Sequence, residues 1–310
     1  MPKIAYQTKD FKLDTLALIA QCNEIVTAYG AQGLDLTLRQ LYYQLVSRNV
    51  IRNLQKEYAR LSSIVNDARL AGLIDWDSIT DRTRNLRKLS HWQSPTDIIA
   101  VCAQQFRKNK WLTQDNYVEV WIEKDALVGV IEGVCNEYDV PHFSCRGYTS
   151  QSEMWGAAMR LVERLKAGKQ CTILHLGDHD PSGIDMSRDI EERLRMFIGK
   201  HTNRVSMFEV KRIALLMSQI EQYNPPPNPA KATDARFVSY EQEFGDECWE
   251  LDALEPSVII ELVRGELDEL RDLDTWNEVV EDEDEAKENI GFIAQYFDAA
   301  AEAARLESES

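Results

Sequence analysis

The stretch CTILHLGDHDPSGIDM, residues 171–186, decides how the chain is read. Its first six residues form a short apolar run of the kind found in a buried strand. Asp178 and Asp180 follow at once, and Pro181-Ser182-Gly183 then opens a helix for which Asp180 is a suitable N-cap. Outward from it the same alternation recurs. VEVWI (118–122) is a strand closed by Glu123, and DALVGVIEGVCNEY (125–138) is a helix. VPHFSC (140–145) is a second strand before the helix SEMWGAAMRLVERLKAG (152–168), and VSMFEVKRI (205–213) supplies a fourth strand after the helix that starts near Gly183. Apolar strands separated by helices of this length predict a parallel sheet covered on both faces.

Functional groups of open sheets gather at the carboxyl ends of the strands. Glu123, Asp178 and Asp180 therefore converge on one edge. Three carboxylates there suit Mg²⁺, a hard cation that prefers oxygen ligands and that can polarise a phosphate. One such acid alone reads as a helix cap, and Asp180 has that simpler explanation; three at successive strand ends read as a site.

Toward the N-terminus the period changes to that of helices. Residues 12–29 have helical apolar spacing and stop at Gly30. Thr37 is an N-cap for a second helix whose stripe is Leu38, Leu41, Tyr42, Leu45 and Val46. Tyr42 lies on that buried stripe; Tyr43, about 100° further round, shares a face with Arg39 and Ser47, off the core side. A third amphipathic helix spans about Gln55 to Leu70, and LIDWDSITDRTR (73–84) reads as two short extended segments, a wing. Three helices and a wing predict a winged helix-turn-helix in residues 1–115, ahead of a parallel-sheet domain with a helical, acidic C-terminal extension in residues 116–310. Arg60, Arg69, Arg82, Arg84, Arg87 and Lys88, with Lys124 beside the first strand's acid, are the candidate DNA contacts; Arg107, Lys108 and Lys110 extend the set.

The net charge of -17 opposes DNA binding only if it is spread evenly. It is not: residues 1–115 carry +5, residues 116–240 carry -2 and residues 241–310 carry -20. A basic front and an acidic tail allow DNA at one end of the molecule. The run EVVEDEDEAKEN (278–289) reads as a solvated helical face, with a DNA-mimicking or docking surface as the alternative. YNPPPNPAKATDAR (223–236) can be neither regular helix nor central strand, and its Lys231 and Arg236 are further possible DNA contacts. No long uncharged apolar run or signal-peptide core exists, so a soluble, cytoplasmic, nucleoid-associated protein with no membrane contact is expected. The six cysteines have no zinc-ligand spacing and read as reduced, mostly buried thiols. His179, beside the acids, reads as a supporting group rather than a ligand.

WIEKDA (121–126) and LGDHDPSGIDM (176–186) resemble the Glu and DxDxxG motifs of the Toprim fold of topoisomerases, primases and several nucleases. With LTLRQLYYQL (36–45), and more weakly WELDAL (249–254), the set resembles the DNA-cleaving, A-type component of the type IIB enzyme topoisomerase VI and the related transesterases that start meiotic recombination. The resemblance implies that Tyr43 is the nucleophile, that Arg39 stabilises the phosphate, and that Glu123, Asp178 and Asp180 hold Mg²⁺, with Glu123 also able to act as acid or base. It implies cleavage of double-stranded DNA through a 5'-phosphotyrosyl link by a homodimer in which tyrosine and metal site come from different protomers. Gln40 stands where the family usually has an acid, and no ATPase segment is present, so the chain looks like a small free-standing A-type homologue of mobile elements, for which a separate B-type ATPase is a possible partner. Two alternatives are a Toprim nuclease that uses metal-activated water and a catalytically silent DNA-binding protein.

Overall fold

The computed structural model describes residues 3–34, 36–80, 89–230 and 234–308. The chain forms two compact units, one of residues 1–84 and 118–268, the other of residues 85–117 and 269–310. Among the described residues no helix is long and apolar enough to cross a membrane.

The first unit begins with α1 (Leu13–Gly30), α2 (Leu38–Ser47) and α3 (Gln55–Leu70), at the expected positions. A capping box starts α2: Gln40 N–H donates to Thr37 Oγ1 at 3.3 Å, and Thr37 N–H donates to Gln40 Oε1 at 2.8 Å. This gives Gln40, 2% exposed, a definite task where the resembled family has an acid. Tyr43 departs from expectation: it is as buried as Tyr42, both at 4% exposure. The reason is a 3₁₀ turn, Leu251–Ala253, that packs on α2 and covers the face that local periodicity assigns to solvent. The wing is also absent from the described part of its segment. Residues 73–80 turn through an Asp75 side-chain bond to Asp77 N–H at 2.9 Å and contribute one isolated bridge, Leu36 with Ile79. Residues 81–88 lie outside the described residues, and with them Arg82, Arg84, Arg87 and Lys88.

In the second unit α4 (Pro95–Gln105) is started by Ser94 and Asp97 in another capping box. The first unit resumes with the sheet strands β1 (Asn116–Ile122) and, after a 3₁₀ turn and α5 (Val128–Glu137), β2 (His142–Ser144). Then follow α6 (Gln151–Lys166), β3 (Gln170–Leu176), α7 (Pro181–Ile198) and β4 (Phe208–Ala214). The four strands are parallel in the order β2-β1-β3-β4. Every residue from Val118 to Ile122 and from Cys171 to Leu176 is buried. Because successive strand residues point to opposite faces, this requires cover on both. The chain continues through α8 (Met217–Tyr223), the two-residue β5 (Asn228–Pro229), α9 (Phe237–Phe244), β6 (Glu247–Cys248), which pairs antiparallel with β5, and α10 (Pro256–Leu270). Lys231, in the proline-rich segment, is outside the described residues. All six cysteines are free thiols, and Cys102 alone of them is exposed.

The 36-residue α11 (Leu273–Ser308) packs on α4 within the second unit. Its acidic run is a solvated face with one exception. Glu283, 3% exposed, accepts from Lys110 Nζ at 2.8 Å, Lys287 Nζ at 2.6 Å and Lys108 N–H at 2.8 Å. Burial pushes the Glu283 carboxyl up, but Lys110, Lys287 and the Lys108 amide draw it down to about 2. That lies below the roughly 4.3 of an unfolded glutamate, so its contribution is complete above about pH 4.3 and disappears as pH falls through the folded value. In denaturant titrations Glu283→Ala is expected to cost about 3 kcal/mol at neutral pH, by leaving Lys110 buried without its carboxylate. The gap between wild type and variant should close as the titration is repeated toward pH 2.

Candidate active site

The carboxyl ends of β1 and β3 lie side by side, joined by the Glu123 N–H bond to Leu176 O at 2.8 Å. Glu123 Oε2 accepts from Asp178 N–H at 2.8 Å, which brings the first two acids into contact. The third is placed differently. Asp180 caps α7, its Oδ1 accepting from Gly183 N–H at 2.6 Å and Ser182 Oγ at 2.8 Å.

Two glycines and an arginine set this loop. A Cβ on Gly183 would lie 2.2 Å from Asp178 O, and one on Gly177 would lie 3.0 Å from Glu123 Oε2. The first turn of α7 thus approaches the acid loop closer than any side chain permits. Arg212 of β4 grips the same loop with its planar fork: Nη1 donates to Gly183 O and Ser187 Oγ at 2.9 Å, and Nη2 to Gly177 O at 2.9 Å and Asp178 O at 2.6 Å. Burial lowers the Arg212 guanidinium to about 10 against the pull of Glu123, Asp178 and Asp180, so it remains cationic at neutral pH.

Burial raises the pKa of Glu123, and the charges of Asp178 and Asp180 add to that; burial likewise raises Asp178, with Lys124 opposing. Two crowded carboxylates that resist joint ionisation suit a divalent cation, and their oxygens are the donors Mg²⁺ prefers. Glu123 and Asp178 would hold it, with Asp180 alongside. They do not form a ready cage: among the described residues no three His, Cys, Asp or Glu side chains are grouped to bind a metal. Lys124 accounts for part of this, because its Nζ sits 2.9 Å from Asp178 Oδ1 and a cation must compete with it.

Lys124 also links the edge to α2. Its Nζ lies 2.8 Å from Glu250 Oε2 and 3.0 Å from Asp252 Oδ1, while Arg39 pairs with Glu250 and, at 2.7 Å, with Asp252 Oδ2. Arg39 lies over the Tyr43 ring, 5.8 Å from its centroid. Arg39, Tyr42, Tyr43, Asn53, Tyr58, Asn228 and Glu250, with Gln55, line a cavity of about 450 Å³. Burial raises the Tyr43 phenol, Asp252 and Glu250 raise it further, and Arg39 and a hydrogen bond with Asn228 oppose this. The phenol is therefore protonated at neutral pH.

The other expected contacts have identifiable partners. Arg60 is exposed and pairs with Glu57 on its own helix at 2.8 Å. Arg69 turns inward, bonding Trp76 O at 2.8 Å and Ile79 O, and so holds the segment after α3. Arg236 pairs with Asp234 and Asp185 at 2.8 Å and stacks on Tyr148. His179 Nδ1 lies 2.8 Å from Tyr240 Oη, among aromatic rings, and burial lowers the ring to about 4. Glu250, Asp252, Arg212 and Asn228 escaped the sequence reading. The two acids of WELDAL and the charged Arg212 within an otherwise apolar strand were the available signals.

The fold and site define an α/β protein with a four-stranded parallel sheet and with Glu123 and Asp178 adjacent at its carboxyl edge. No protein-family model matches the chain, and no curated protein does.

Gly183→Ala is expected to destabilise the protein by about 3 kcal/mol in equilibrium denaturation, since Arg212 pins the carbonyl that the new methyl meets. A change below about 0.5 kcal/mol, the range of ordinary surface substitutions, would show that the loop yields freely.

Proposed function

We propose that this chain cleaves double-stranded DNA by transesterification, with Tyr43 as nucleophile and with Glu123, Asp178 and Asp180 as the Mg²⁺-binding carboxylates. In this reading α1–α3 serve as a winged-helix-type DNA-binding unit and the sheet as a Toprim-type unit, in the manner of the DNA-cleaving components of type IIB topoisomerases. The observation that carries it is the cavity in which Tyr43 and Arg39 stand together, with Glu250 in its wall.

The chemistry exchanges one ester for another. Tyr43 Oη forms a bond to phosphorus, the bond from phosphorus to the 3' oxygen breaks, and a 5'-phosphotyrosyl link retains the bond energy for resealing. Arg39, above the ring, neutralises charge on the phosphoryl oxygens. Glu250, which lines the same cavity, is the carboxylate we assign to take the phenol proton. Where Asp178 and Asp180 carry the metal and Glu123 stays outside its ligand set, Glu123, whose buried carboxyl has a raised proton affinity, is the acid we assign to protonate the leaving 3' oxygen. When bound, Mg²⁺ supplies Lewis-acid stabilisation of the phosphate charge. A homodimer is part of the proposal, with tyrosine and carboxylates contributed by different copies; a B-type ATPase is a further candidate partner.

Burial of Tyr43 favours one competing reading, hydrolysis by metal-activated water with Tyr43 as a structural group. The product end separates the two. With end-labelled DNA and Mg²⁺, denaturing gels are expected to show protein joined to 5' ends, reduced on the order of 10³-fold or more in Tyr43→Phe. Undiminished cleavage in that variant, leaving free 5'-phosphates, would refute the nucleophile assignment. Mixing Tyr43→Phe with Glu123→Gln tests the shared site: each is expected to be inactive alone, while mixed dimers recover one composite site and nick one strand. If the mixture stays inactive although mixed dimers form, the tyrosine and the acids do not work across the dimer.

A further inference from the structure

We propose that Arg39 and Lys124 form a binding subsite for one backbone phosphate of DNA, and that the Glu250 carboxylate occupies this subsite as an internal substitute which the phosphate must displace. The inference rests on the DNA-cleaving reading for the identity of its ligand.

Two cations from distant parts of the sequence meet on a single oxygen: Glu250 Oε2 accepts from Arg39 Nη2 and, at 2.8 Å, from Lys124 Nζ. An oxygen shared by a guanidinium and an ammonium is in the situation of a non-bridging phosphate oxygen in a charge-assisted site. The neighbouring acid is arranged otherwise. The Asp252 side chain is 1% exposed and the Glu250 side chain 25% exposed, and of the two only Glu250 lines the cavity beside Tyr43. Asp252 is the fixed counter-ion that keeps both cations in place, and Glu250 is the one that solvent and ligand reach.

The backbone around Glu250 permits the exchange. Trp249 is bridged to His179 by bonds of 2.8 and 2.9 Å, and Leu251 N–H donates to Asp178 Oδ1 at 2.7 Å. Residues 249 and 251 are anchored to the acid loop through their backbone, while the Glu250 side chain is held only by Arg39 and Lys124 among the contacts described above. Its carboxylate can therefore swing into the cavity by side-chain rotation, with no backbone change. The phosphate takes over the contacts of Glu250, while Asp252 keeps its ion pairs with both cations.

The test is the affinity of the full-length protein for a fluorescent DNA duplex, by anisotropy over a series of salt concentrations without divalent metal. Glu250→Gln keeps the shape and removes the charge; it is expected to tighten binding about tenfold at each salt concentration, because the phosphate no longer displaces a charged competitor. Glu241→Gln, an exposed acid on α9, controls for net charge and is expected to change affinity less than about twofold, as a peripheral charge screened by salt. Adding Lys124→Gln to Glu250→Gln should abolish the tightening. Unchanged or weaker binding by a folded Glu250→Gln overturns the proposal, as does tightening matched by the control. If thermal melting shows that Glu250→Gln is unfolded, Glu250→Asp, whose shorter side chain withdraws the carboxylate, takes its place. Tightening supports the subsite and its absence overturns it. The 5' adduct in wild type is scored separately. Tightening without any adduct leaves the phosphate subsite standing and removes the transesterase reading; an adduct without tightening does the reverse.

Discussion

Asp252 is a carboxylate almost wholly out of water, and it survives there because Arg39 and Lys124 both face it. Neither cation comes from its own part of the chain: one is on the second helix, the other follows the first sheet strand. A buried charge deprived of a partner costs about 3 kcal/mol or more. The cluster therefore acts as a constraint on geometry: α2 and the edge of the sheet can come together only in the register that serves all the charges. The cavity beside Tyr43, the placement of Arg39 over its ring and the partial neutralisation of Asp178 follow from that register.

A second constraint acts on the acid loop itself. Arg212 divides four of its donor contacts among three backbone carbonyls and one hydroxyl, and so ties both ends of the loop to β4. The absence of a Cβ at Gly183 lets the first turn of α7 close on the same backbone. Together they present Glu123 and Asp178 as neighbours; burial raises the proton affinity of both, and the Asp178 charge raises that of Glu123 further.

Local sequence was a good guide wherever a local rule governs the outcome. Strand positions, the starts of α2 and α7, and the limits of α3 follow from apolar period and capping chemistry, and the structure has them. It misled where a distant segment intervened. Tyr43 lies off the apolar stripe of its own helix, yet residues 251–253 cover it. Arg69 is one more exposed cation by periodicity, but the turn after α3 offers it carbonyls to bind.

What the sequence alone determined is the kind of protein this is: alternating strands and helices, with acids at the strand ends and a Tyr–Arg pair on a helix, are all written in spacings of a few residues. Only the tertiary structure decided what each charge faces. Glu250 and Asp252 lie some 200 residues from Arg39 and more than 120 from Lys124, and nothing in their local pattern encodes that meeting. Pairing at such range is selected by the total energy of burying several charges at once, a quantity that exists only after the chain has closed around them.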